Sequence, residues 1–170
     1  MSNVIKLVSK IATVTINNSI TETDLVNFDV PAYGLEFAEQ SIRVKMAGEF
    51  LNNTGAAATL TFKVKLGTTT ILTTAALSLA QSANRRKWDM EVELLATAAD
   101  TQRIRGTLQI SDADAETFAN HSTDGEIVTG YGTATEMTSD ALTFVLTGQL
   151  GTANASIEVT CTMTQAELLK

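Results

Sequence analysis

The chain has 170 residues, 44% hydrophobic and 18% charged, with 12 Lys and Arg against 19 Asp and Glu for a formal net charge of −7. Such a length suits a single domain that buries about 70% of its unfolded surface, and the apolar content excludes a disordered chain. The acidic balance argues against nucleic acid as a partner, since phosphate neutralisation needs clustered Lys and Arg.

The N-terminal arm, residues 1–9, carries Val4, Ile5, Leu7 and Val8. It is apolar enough to dock on a neighbour or to extend the first strand of its own domain, which is assigned to 10–170. The opening MSNVIKLVSKIATV has a short apolar patch broken by Lys6 and Lys10. No signal peptide is expected from it. No apolar run approaches the ~20 residues of a membrane span.

Strands are predicted at 10–17 (KIATVTIN) and 22–30 (ETDLVNFDV), the second ended by Pro31, the only proline. YGLEFAEQ is a connection. In 41–66, Ile42, Val44, Met46 and Phe50 alternate with polar residues, and Leu60, Phe62, Val64 and Leu66 do so again after NNTG. Period-two alternation around an Asn/Gly break predicts a pair of half-buried antiparallel strands. TTTILTT and ALSLA are short strands.

Residues 87–110 read as a hairpin. Trp88, Met90, Val92 and Leu94 face one way and Ile104, Leu108 and Ile110 match them. If Leu94 opposes Ile104, Glu93 opposes Arg105. A short strand or helical turn is expected at 113–119, then a Gly-interrupted strand in EIVTGYGTAT. ALTFVLTGQL and ASIEVTCTMT close the chain around GTAN. Roughly eight to ten strands at this spacing, with no helical period, make an all-β, antiparallel two-sheet sandwich.

Catalytic chemistry is sparse. Cys161 is the single cysteine, so no intrachain disulfide forms, and its apolar parity predicts a buried, inert thiol. His121 is the single histidine, too few for a zinc cluster. Asp112, Asp114 and Glu116 could touch Ca²⁺, but the EF-hand spacing is missing and a solvated acidic loop is the plainer reading. Neither a nucleophile elbow nor a phosphate-binding loop appears. No enzyme activity, cofactor or metal is expected. Arg85-Arg86-Lys87-Trp88 is short and followed by acids, so a strand entry outweighs a nucleic-acid patch. Trp88 sits on core parity, and Tyr131, between two glycines, is a weak candidate for ligand contact.

The segment order resembles the single-domain jelly-roll virion proteins of tailed bacteriophages, which occur as head-decoration or as fibre and tail-associated proteins. The matching pieces are ETDLVNFDVPA, IRVKMAGEFLNNTGAAATLTFKVKLGTTTI, RKWDMEVELLATAADTQRIRGTLQIS and ALTFVLTGQLGTANASIEVTCTMTQAEL, most of residues 22–167. ATAADTQRIRG and LTGQLGTANASI match best. The 111–126 insert is longer and more acidic than the pattern, and the 1–9 arm has no clear counterpart.

The resemblance implies a jelly roll commonly assembled as a homotrimer. It also implies a non-enzymatic protein of the virion exterior, cementing the head through the major capsid protein or other virion subunits. A tail or fibre component that binds a host cell-surface glycan is the alternative. Neither nucleic acid nor membrane is an expected partner.

Overall fold

The computed structural model describes residues 4–111 and 126–170. Its elements are all strands: β1 (Val4–Lys10), β2 (Val14–Asn17), β3 (Thr23–Val30), β4 (Ser41–Asn52), β5 (Ala58–Leu66), β6 (Thr69–Thr73), β7 (Leu77–Leu79), β8 (Ser82–Ala98), β9 (Thr101–Ile110), β10 (Glu126–Ala134), β11 (Leu142–Leu150) and β12 (Ile157–Leu169). A seven-stranded sheet runs β1-β12-β4-β8-β9-β10, with β2 also on β12. A five-stranded sheet runs β3-β11-β5-β6, with β7 also on β5. With β1/β2 and β6/β7 each taken as one interrupted strand, the chain crosses between sheets at β2–β3, β3–β4, β4–β5, β7–β8, β10–β11 and β11–β12. This is jelly-roll connectivity, extended on one side by β9 and β10.

Alternation sets the core. Ile42, Val44, Met46 and Phe50 from one sheet and Leu60, Phe62, Val64 and Leu66 from the other are all buried. Phe62 meets Trp88 across the sandwich at 5.1 Å between ring centres, and Phe28 stacks on Phe144 within the smaller sheet at 5.0 Å. The Trp88 indole N–H donates to the Thr160 carbonyl at 3.0 Å, satisfying its one polar group. Gly48 makes this possible. A Cβ there would lie 1.9 Å from the Thr160 oxygen and 2.7 Å from the indole ring.

The β8–β9 register pairs Leu94 with Ile104 and Glu93 with Arg105, as the alternation predicts. The strands expected on either side of NNTG also form, but β4 and β5 belong to opposite sheets and do not pair. The corner between them is fixed by Asn52. Its side-chain amide donates to the Ala56 carbonyl at 2.8 Å and the Leu79 carbonyl at 2.7 Å, and Gly55 adopts φ 80°.

The strand expected at 10–17 is split. β1 pairs with Thr164–Leu169 and β2 with Glu158–Cys161, end to end along β12. The gap between them lies opposite the register irregularity of β12 between Cys161 and Met163. The boundary drawn between arm and domain at residue 9 therefore falls inside β1. The element expected at 113–119, and Asp112, Asp114, Glu116 and His121, lie outside the described residues.

Candidate functional site

β1 is an outermost strand, held on one side by β12 of its own chain and, among the described residues, by no strand on the other. The register shifts between Lys6 and Val8, so Leu7 is the extra residue of a bulge. Leu7 and Val8 both pack against the core, whereas Val4 and Ile5 are 57% and 45% exposed. Two large apolar side chains thus stand in solvent on an open strand edge.

Tyr131 lies at the opposite edge of the same sheet, on β10, and is 77% exposed. The arm residues and Tyr131 therefore do not share a site. The glycines flanking Tyr131 serve closure of the sandwich. A Cβ at Gly132 would lie 2.2 Å from the Ile71 carbonyl oxygen, and Gly106 and Gly130, paired across β9 and β10, leave room for Leu72.

Register places Tyr131, Arg105, Glu93, Arg43, Glu167 and Lys6 in one row across the outer face of the large sheet. Charge alternates along the row after Tyr131. Arg43 lies 3.8 Å from Glu93 and 3.4 Å from Glu91. Beside this row is an open groove of about 430 Å³, lined among others by Asp89, Glu91, Arg105, Gln109 and Met163. Partial burial raises the Asp89 carboxyl above its ordinary range, opposed by Lys87. Donors, acceptors and a thioether here suit a hydroxylated or charged ligand.

The outer face of the small sheet carries a tighter cluster. Glu22 accepts from Lys63 at 2.6 Å, from Lys65, and from the Thr147 hydroxyl at 3.0 Å. The two lysines lower its carboxyl from 4.5 to about 2.

Cys161 is buried, and desolvation pushes its thiol up, which suppresses the thiolate. The basic run is divided. Arg85 pairs with Glu158 at 2.8 Å, Lys87 pairs with Glu49 at 2.7 Å, and Trp88 is in the core. Among the described residues no group of three or more His, Cys, Asp or Glu is placed to hold a metal, and no helix is long and apolar enough to cross a membrane.

Tyr33, Phe37, Leu95 and Met137 were not singled out by the sequence, yet they are 53%, 63%, 40% and 58% exposed at one end of the sandwich. The available signal was two aromatics inside YGLEFAEQ, a segment otherwise read as a plain connection.

No protein-family model and no curated protein matches the chain. Similar solved structures include infectious bursal disease virus Gx strain, at 9% identity and TM-score 0.37, covering 99% of this chain and 42% of that one. The Gt strain of the same virus gives 12% identity and TM-score 0.35 over the same shares. The CBM2 module of the evolved Dit of Lactobacillus casei BL23 phage J-1 gives 12% identity and TM-score 0.31, covering 84% of this chain and 68% of the module. The chain spans less than half the length of the bursal-disease-virus chains.

Proposed function

We propose that this chain is a non-enzymatic structural protein of a tailed-bacteriophage virion, a decoration or cement protein that binds the head surface as a homotrimer. It would be made in the host cytoplasm and carried on the particle exterior. The observation that carries the reading is the β1 edge, where Val4 and Ile5 stand exposed on a strand that, among the described residues, has one free side. An open apolar edge invites pairing with another chain. A strand from the major capsid protein or another virion subunit, added to β1, would complete its backbone hydrogen bonds and cover both side chains. Three copies in a trimer would multiply a modest single contact by avidity. The jelly-roll connectivity and the segment resemblance support the same reading.

The test is binding to undecorated particles. Deleting residues 1–8 should abolish it while the fold and oligomer persist. Because β1 also pairs with β12, the double variant Val4→Thr, Ile5→Thr is the milder companion and should weaken binding with unchanged thermal stability. Undiminished binding by both variants rejects the β1 attachment.

A tail or fibre component that binds a host glycan is the second reading, favoured by the polar groove and by Tyr131 in the adjoining row. Glycan-array binding lost in Tyr131→Ala would support it over the head-decoration reading.

A further inference from the structure

Three stretches meet at one end of the sandwich: the connection 31–40, the tip of the β8–β9 hairpin at 95–101, and 134–141 at and after the end of β10. They are pinned to each other. The Tyr33 N–H donates to the Thr138 carbonyl at 2.6 Å, and the Thr138 N–H and hydroxyl both donate to the Ala99 carbonyl, at 3.2 and 2.6 Å. The Glu39 N–H donates to the Ala96 carbonyl at 3.1 Å, and the Ala96 N–H to the Gln40 carbonyl at 2.9 Å. Fully buried Gln102 closes the third side, donating to the Glu136 carbonyl at 3.0 Å and accepting from the Glu136 N–H at 3.2 Å.

On this fixed frame Tyr33, Phe37, Leu95 and Met137 remain exposed. Tyr33 and Glu39 hold left-handed backbone, φ 60° and 75°, a conformation that costs free energy for a side-chain-bearing residue. Strain retained to hold a loop that leaves aromatic rings in water points to a use for those rings. A group of aromatic, Met and Leu side chains on a pre-ordered frame has the composition of an interface centre.

The charges around it choose the partner. The three segments contain Glu36, Glu39, Asp100, Glu136 and Asp140 and no Lys, Arg or His. Glu136 turns away and accepts from the Thr68 and Thr69 N–H groups at 3.2 and 3.0 Å. The nearest basic residues by register are Arg103, paired with Leu95, and Lys170, next to Leu169, which pairs with Ser41. A second copy docking by the same face would set acid against acid, and phosphate-rich surfaces would be repelled.

We infer that this end of the sandwich docks a protein surface whose apolar socket is ringed by Lys and Arg. The inference does not depend on the virion reading. Val4, in the same cross-strand row as Leu95, lies at this end too, so on a particle one partner could meet both.

The test uses the full chain and three labelled synthetic peptides that share a Leu/Phe centre flanked by Arg, Ser or Glu, read by fluorescence anisotropy. The Arg-flanked peptide should bind about tenfold more tightly than the Ser-flanked one and weaken with salt, and the Glu-flanked one should bind least. Phe37→Ser with Met137→Ser should lower affinity by about tenfold or more without changing the melting temperature, since both side chains already face solvent. Ile127→Ser, an exposed apolar change on β10, should leave binding unchanged. Glu39→Lys with Asp140→Lys should invert the peptide order. Equal binding of all three peptides, no binding of any, or equal losses from the Phe37/Met137 and Ile127 variants overturns the inference. So does self-association that disappears with Phe37→Ser, which would make a second copy the occupant.

Discussion

Glu22 sits just ahead of β3 and fastens that end of the strand to β5 and β11 through Lys63, Lys65 and Thr147. Its folded carboxyl, about 2, lies below the unfolded value of 4.5. The unfolded chain therefore binds the proton more readily, and the stabilisation is complete above 4.5 and lost as pH falls toward 2. Allowing for solvent screening of a side chain 24% exposed, it is on the order of 1–2 kcal/mol. Urea unfolding across this acid range should show a smaller loss of stability in Glu22→Gln than in the parent. An unchanged slope would mean the pair is fully screened. Lys63 reads as solvent-facing by alternation, but its reversal to Glu would set two carboxylates together and should destabilise beyond an ordinary surface change. A second residue-scale test is Gly48→Ala. The added methyl meets the Thr160 carbonyl and the indole ring, so a loss of ~1–3 kcal/mol or more is expected, with a shifted Trp88 fluorescence spectrum.

At the scale of elements, alternation in 87–110 gives the parity of both strands, and one pair, Leu94 with Ile104, then places Glu93 opposite Arg105, because the side-chain period is two. It could not assign sheets. Every inward residue of a sandwich points to one shared core, so Phe62 and Phe50 look alike in sequence while lying in opposite sheets. β1 stays open in the sequence between a docking arm and a strand of its own domain, for another reason. The bulge at Leu7 breaks period two, and VIKLVSK reads as an irregular sticky arm. The exposed rings of Tyr33 and Phe37 were hidden because composition cannot say which side of a loop meets water. Core burial yields a sharp element-scale expectation. Phe62→Ala or Phe144→Ala should cost ~3–5 kcal/mol in urea unfolding. Lys45→Gln on the outer face, half exposed and 3.9 Å from Glu91, should stay within ~0.5 kcal/mol. Similar losses for both kinds of change would contradict the parity.

For the whole molecule, the proposed trimer should scatter light with a mass roughly three times the 18.1 kDa chain at micromolar concentration. A clean monomer would reject the trimer for the free protein.

β12 comes after β1, β2 and β4 in the chain yet lies between β1/β2 and β4 in the large sheet. Until residues 157–169 leave the ribosome, β1 and β2 lack the strand they pair with among the described residues, and β4 shows a long unpaired edge to other nascent chains. Closure of the large sheet must therefore wait for residues 157–169, and chains stalled before residue 157 should be protease-sensitive and prone to co-aggregate. Where many copies are made at once, the speed with which this strand inserts would set the yield of usable protein.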